Sequence, residues 1–221
     1  MATIVFDLDG TLIDTAPDLI DTLNLVLSGA GLAALPFETA RPMIGGGPRR
    51  MLERALTAEG HAKAEADRLY AGFIEHYAAH IADRSRPYPL LEETLDRLAA
   101  AGHHLAVCTN KLEWLAKRLL EQLGLTPRFA AICGPDTFGV AKPDPQMLLQ
   151  TIGRVGGDAG RAVMVGDSST DVRTAKAATV PIIAVSFGYA DVPVEWLQPD
   201  RVIASFSELP GAIRALLSVK A

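Results

Sequence analysis

The sequence predicts an α/β fold: a parallel sheet core with a small all-helical block inserted after the first strand. Three observations carry this. From residue 86 onward, short apolar runs rich in β-branched residues alternate with runs at helical period, the pattern of a parallel sheet covered on both faces. One more strand-like run, Thr3 to Leu8, stands alone near the N-terminus. Between the two, residues 15–85 carry apolar side chains at helical spacing and no strand-like run. The expected division is a core of residues 1–14 and 86–221, with a helical insertion at 15–85.

The elements follow in order. Thr3 to Leu8 is short and apolar on both faces, as a central parallel strand should be. Leu19, Ile20, Leu23 and Leu27 recur at helical spacing behind Pro17, which suits a first helical turn, and Gly29 and Gly31 end the run. Pro48 opens a second helix bearing Met51, Leu52, Ala55 and Leu56. A third runs from about Ala62 to Ala82, with Leu69, Phe73, Tyr77 and Ile81 on one face. Arg86-Pro87-Tyr88-Pro89 is a stiff junction. Beyond it come a helix with Leu91, Leu95 and Leu98, a strand at Leu105–Thr109, a helix with Leu112, Leu115, Leu119 and Leu123, and a strand at Ala131–Cys133. Then follow a helix at Gln146–Val155, a strand at Arg161–Gly166, a helix at Asp171–Ala178, strands at Ile182–Ser186 and Arg201–Ala204, and a last helix at Glu208–Val219.

Composition narrows the function. The 221 residues are 49% hydrophobic and 21% charged, an ordinary globular balance. Lys plus Arg is 21 against 26 for Asp plus Glu, so the net charge of -5 offers no general attraction to nucleic acid or an anionic membrane. Neither partner is expected. The opening MATIVFDLDG lacks the basic start of a signal peptide, and no apolar run approaches the roughly 18 residues of a membrane helix. A cytoplasmic protein is expected. Cys108 and Cys133 are the only cysteines, too few for a disulfide framework.

In an open α/β sheet, ligands sit beyond the carboxyl ends of the strands. The first strand ends in Asp7-Leu8-Asp9-Gly10-Thr11, and the Leu105 strand in Thr109-Asn110. Lys142-Pro143 follows the Cys133 strand. The Arg161 strand runs into Gly166-Asp167, with Asp171 four residues further on. Clustered carboxylates need a cation, and hard oxygen donors in that number suit Mg²⁺. A lysine and a hydroxyl at the same edge call for an anion. Together they make a phosphoryl-transfer site, at which one carboxylate can attack phosphorus. Singly, each element has a plainer reading: Asp-x-Asp as a turn pair, Thr109-Asn110 as a helix cap, Lys142 as a surface lysine, Gly166-Asp167 as a strand-to-helix turn. Four accidents would have to coincide.

The ordered set DLDGT, Thr109, Lys142-Pro143 and GDSSTD resembles the haloacid dehalogenase superfamily of phosphatases. That resemblance implies a Rossmann-like core with a small helical cap that closes over the site. It implies Asp7 as nucleophile and Mg²⁺ ligand. Asp9 is implied as general acid and then base, with its main-chain carbonyl on the metal. Thr109 and Asn110 would hold the phosphoryl oxygens, Lys142 would offset their charge, and Asp167 would bind the metal. Asp171 would sit behind the metal or on one of its waters.

Within the superfamily the sequence is similar to the phosphoglycolate phosphatase group, through Gly45-Gly46-Gly47, Thr109-Asn110-Lys111 and Phe187-Gly188-Tyr189. The expected substrate is a small phosphorylated metabolite, 2-phosphoglycolate first. Arg49 and Arg50, just inside a cap helix, could fork onto its carboxylate. Two positions depart from the group's pattern: Tyr88-Pro89-Leu90 replaces tyrosine-proline-glycine, and Ala178-Thr179 replaces alanine-glycine. A phosphomutase, a sugar-phosphate phosphatase and a pyrophosphatase share the core motifs and stay open. A dehalogenase would lack Asp9. A non-turnover phosphoacceptor module would place its carboxylates on different strands. His76 and His80, four apart on a helix, have no evident third metal ligand and read as packing residues.

Overall fold

The computed structural model describes residues 1–190 and 192–218. Six parallel strands form the main sheet: β1 (Thr3–Phe6), β4 (His104–Cys108), β5 (Ala131–Cys133), β6 (Ala162–Gly166), β7 (Ile182–Val185) and β8 (Arg201–Ile203), in the order β5-β4-β1-β6-β7-β8. The first strand therefore lies between β4 and β6. Its side chains alternate between two cores, Ile4 and Phe6 in one and Val5 in the other, as a strand buried on both faces requires. On the Ile4 side lie α5 (Leu91–Ala100), α6 (Glu113–Gln122) and α10 (Leu209–Ser218). On the Val5 side lie α8 (Pro145–Arg154) and α9 (Ser169–Ala177). The short α7 (Pro135–Phe138) follows β5.

Between β1 and the rest of the sheet come α1 (Ala16–Gly29), α2 (Phe37–Ala40), α3 (Pro48–Ala58) and α4 (Ala66–Ala79). The stripes expected from the sequence are the buried ones: Leu19, Ile20, Leu23 and Leu27 on α1, Met51, Leu52, Ala55 and Leu56 on α3, and Leu69, Phe73 and Tyr77 on α4. The last of these helices is shorter than expected at both ends. Residues 63–65 form a 3-10 turn, and His80 leaves the helix at φ -120°. The chain turns there because buried Asp18 draws it in. The Asp18 carboxylate accepts from the backbone N–H groups of Arg84 (3.0 Å) and Ser85 (2.8 Å) and from the Ser85 hydroxyl (2.6 Å).

A two-stranded antiparallel ribbon, β2 (Ile13–Asp14) with β3 (Arg86–Pro87), was not expected. It pairs Ile13 with Pro87 and Asp14 with Arg86, one strand on either side of the helical block. Two residues are too few to show a period in sequence. The last helix begins at Leu209, behind a 3-10 turn at Phe206–Glu208, and its expected end at Val219 lies outside the described residues. Among the described residues, no helix is long and apolar enough to cross a membrane.

Leu90 and Thr179, the two departures from the group's glycines, both adopt left-handed backbone at φ 63° and 57°. A β-carbon there costs roughly 1–2 kcal/mol, which glycine avoids. Leu90→Gly and Thr179→Gly are each expected to raise unfolding free energy by about 0.5–1 kcal/mol, less than the full relief because glycine also loosens the unfolded chain. Urea denaturation checks this, and a loss of stability in both variants would show that the conformation is not strained.

Candidate active site

Sheet register assembles the site. Phe6 pairs with Val107 on one side and Val165 on the other, so Asp7, Cys108 and Gly166 are level, and Thr109 and Asp167 lie one residue beyond. Asp7 continues the ladder, donating its N–H to the Val165 carbonyl at 2.9 Å. Thr109 leaves the end of β4 with its N–H on the Cys133 carbonyl (3.1 Å), and its hydroxyl accepts the Lys111 N–H at 3.1 Å.

Asp7, Asp167 and Asp171 are buried together, each offering an oxygen within 4.8 Å of the others'. Lys142, also buried, donates to Asp171 Oδ1 at 2.6 Å and lies 2.8 Å from Asp7 Oδ1. The second contact is an ion pair, and beyond that ammonium Asp7 Oδ1 has no partner among the described residues. Burial and the neighbouring Asp171 push the Asp7 carboxyl up to about 7, although Lys142 pulls the other way. Burial, Asp171 and Asp7 likewise raise Asp167 well above the usual carboxylate range. Burial works against the Lys142 charge, but Asp171 and Asp7 outweigh it and hold the ammonium above its ordinary value.

Each carboxylate is aimed by its own element. Asp171 caps α9 reciprocally with Ser168, its Oδ2 accepting the Ser168 N–H (3.1 Å) and hydroxyl (2.6 Å), which leaves Oδ1 for Lys142. Asp167 accepts from the Thr11 hydroxyl (3.0 Å) and the Tyr189 N–H (2.7 Å). This packing needs Gly10 at φ 82°, where a β-carbon would collide with Asp167 and the Tyr189 ring. Asp9 turns away from the three carboxylates. Its Oδ1 accepts the Thr15 hydroxyl at 2.8 Å and pairs with Lys111 Nζ at 3.0 Å. Thr15 precedes α1 but does not cap it; its hydroxyl serves Asp9 instead.

Three buried carboxylates face one ammonium. This donor set is hard, oxygen-only and over-charged, and it fits a Mg²⁺ ion.

Three expected substrate contacts are placed differently. The Asn110 side chain spans the main chain of Lys142, donating to its carbonyl (3.1 Å) and accepting its N–H (2.9 Å). Its amide thus positions Lys142 and keeps a second N–H donor. Arg49 pairs with Asp67 and Glu53, its side chain 56% exposed. Arg50 is exposed, packs over Gly46 and lines an open groove on the helical block with Glu53, Arg54 and Lys63. Neither arginine reaches the carboxylates, because the turn of α3 that carries them faces outward while Met51 and Leu52 face in.

Other residues take part that the sequence reading gave no role. Lys111 is buried beside Asp9 and donates to the Tyr77 hydroxyl at 2.9 Å. The Tyr189 hydroxyl donates to Asp14 Oδ1 (2.5 Å) and accepts the Ala16 N–H (2.9 Å), tying the Asp167 corner to β2 and the start of α1. Arg41 of the helical block donates to the Gly188 carbonyl at 2.9 Å. The runs Thr109-Asn110-Lys111 and Phe187-Gly188-Tyr189 were visible as motifs; their contacts were not. His76 and His80 stack at 4.4 Å, with His76 on the Thr22 hydroxyl and His80 on Asp83.

A Rossmann-like parallel sheet with clustered buried carboxylates, a lysine and a hydroxyl at its carboxyl edge is the arrangement of an α/β phosphoryl-transfer enzyme. The family model for haloacid dehalogenase-like hydrolases matches residues 4–185. Proteins named phosphoglycolate phosphatase are similar over nearly the whole chain. That of Mesorhizobium japonicum is 52% identical, covering 93% of this chain and 92% of its own. That of Caulobacter vibrioides is 48% identical, covering 98% and 92%. The crystal structure of a predicted phosphoglycolate phosphatase from Haemophilus somnus superposes with a TM-score of 0.90 at 28% identity, covering 96% of this chain and 97% of that one. The chain belongs to the haloacid dehalogenase-like hydrolase family, and it is a phosphatase.

Proposed function

We propose that the protein is a Mg²⁺-dependent phosphomonoester hydrolase that works through an aspartyl phosphate, with 2-phosphoglycolate as its substrate. One observation supports the mechanism: a buried Asp7 carboxylate whose Oδ1 meets only the Lys142 ammonium, beside two further carboxylates. The names of the relatives at 52% and 48% identity support the substrate.

In the first step an Asp7 carboxylate oxygen attacks phosphorus, and the bond to the leaving oxygen breaks. Asp9 gives that oxygen its proton, so glycolate departs as the alcohol. In the second step water attacks phosphorus and passes a proton to Asp9, and the bond to Asp7 breaks. Inorganic phosphate is released and both carboxyls return to their starting states. Lys142 and the Thr109 hydroxyl stabilise charge on the phosphoryl oxygens. Mg²⁺, held by Asp7, Asp167 and the Asp9 carbonyl with Asp171 behind it, would neutralise the phosphoryl group so that an anionic nucleophile can approach. Residues 1–14 and 86–221 act as the catalytic core. Residues 15–85 act as the cap that excludes water.

The test is phosphate release with and without Mg²⁺ from 2-phosphoglycolate, pyrophosphate, sugar phosphates and nucleoside monophosphates. A Mg²⁺-dependent preference for 2-phosphoglycolate is the expected result. Broad activity would remove the substrate assignment. Isomerised sugar phosphate without phosphate release would replace the hydrolase by a mutase.

A further inference from the structure

We propose that Lys111 reads the anionic end of the leaving group, taking the substrate's carboxylate onto its ammonium. This rests on the phosphatase reading above and adds to it the residue that selects the substrate.

A cavity lies next to Asp9. It is small, about 20 Å³, and is walled by Leu19, Ile44, Pro48 and Met51 of the helical block, with Asp9 and Lys111 from the core. Among these lining residues Lys111 is the only cation. The general acid must touch the leaving oxygen, so whatever that oxygen carries enters this cavity. In a phosphorylated hydroxyacid with one intervening methylene, the carboxylate sits two bonds from the leaving oxygen. Lys111 Nζ lies 3.0 Å from Asp9 Oδ1, close enough to meet such a group and too close to suit a long one.

Lys111 is also built for the task. It is buried, and its Nζ is fixed by the Tyr77 hydroxyl at 2.9 Å and lies over the Tyr77 ring, 4.5 Å from the centroid. An ammonium has three N–H donors. Asp9 and Tyr77 account for two, and among the described residues the third has no partner. Tyr77 belongs to α4 of the helical block and Lys111 to the core, so the ammonium reaches this geometry only with the block in place. The first turn of α3, at Pro48, borders the same cavity and adds the positive end of its dipole. Arg49 and Arg50 are turned to the outside, and Arg54, which approaches Gly45 from the other side, donates to the Pro42 and Met43 carbonyls and does not line this cavity.

A buried ammonium in an apolar pocket discriminates by what it loses. A carboxylate satisfies the third donor and the charge. A neutral leaving group of the same length can accept the N–H through a hydroxyl but offers the ammonium no counter-charge, and a site built for a charged group disfavours the analogue lacking it.

The experiment compares kcat/KM for 2-phosphoglycolate and 2-hydroxyethyl phosphate, its neutral counterpart of equal length, in the wild-type chain, Lys111→Met and Tyr77→Phe. Circular dichroism checks that each variant is folded. Lys111→Met is expected to lower the preference for 2-phosphoglycolate roughly 100-fold, mostly through KM. Tyr77→Phe keeps the ring and loses only the hydroxyl, and is expected to lower the same preference several-fold. Binding of free glycolate, measured by calorimetry, should weaken in step. Equal losses on both esters, with glycolate binding unchanged, would overturn the proposal and leave Lys111 as a partner of Asp9 alone. Failure of the substrate reading shows separately, as absence of 2-phosphoglycolate turnover in the wild type. The glycolate arm still decides the role of Lys111 in that case.

Discussion

Replacing Asp7 by asparagine is expected to lower turnover by roughly 10⁴- to 10⁶-fold, the range seen when a covalent nucleophile is removed. The fold should not suffer. Asn fills the same volume, Lys142 keeps its bond to Asp171 at 2.6 Å, and one of three crowded carboxylates becomes neutral. The metal-free variant should therefore melt at or above the wild-type temperature. Rapid-quench assays should also lose the acid-stable phosphorylated protein that the proposed mechanism requires of the wild type. Retention of substantial turnover in a folded Asp7→Asn protein would remove the aspartyl phosphate from the mechanism.

The second large effect joins metal, pH and stability. Without metal, burial and Asp171 raise Asp7 to about 7, and Asp167 is raised as well. In the unfolded chain both return to roughly 3.9. Between those values the folded protein holds protons that the unfolded chain has released. The contribution of these two groups is thus fully present below about 4 and is lost as pH rises toward 7. Mg²⁺ binds the deprotonated carboxylates, so its stabilising effect should grow across the same window. At Mg²⁺ near 100 times its Kd, the Tm should exceed that in EDTA by about 5–10 °C at neutral pH, and by much less at pH 5. A Tm gap independent of pH between 5 and 8 would rule out this carboxylate cluster as the metal site. In Asp7→Asn the gap should shrink at every pH.

Much of this architecture was legible in the chain. Strands such as Ala131–Cys133 and helices such as α3 announce themselves because burial on one or both faces imposes a period that sequence displays directly. The groups proposed for catalysis were legible for a topological reason: each follows a strand, and parallel strands deliver their ends to one edge. What stayed hidden depends on contact between distant segments. Asp18 reads as an ordinary first-turn acid, yet it holds Ser85. Arg49 and Arg50 have the right charge and sit beside the right glycines, but helical phase decides which side of α3 they occupy. Met51 and Leu52 claim the inner side. Lys111 lay inside a visible motif without a function, because its neighbours Asp9 and Tyr77 are far from it in sequence.

The ribbon of β2 and β3 has an evolutionary consequence. Asp14 and Arg86 face each other across it, so the chain departs from the sheet and returns to it at neighbouring points. Everything between is, to the catalytic strands, a single excursion from one doorway. The cost of closing such an excursion grows only with the logarithm of its length, so the segment can lengthen, shrink or be exchanged while β1 keeps its place between β4 and β6. The helices that wall the cavity beside Asp9 and hold Lys111 through Tyr77 can thereby vary while the strands behind them stay fixed. A lineage can change what it selects without rebuilding how it reacts.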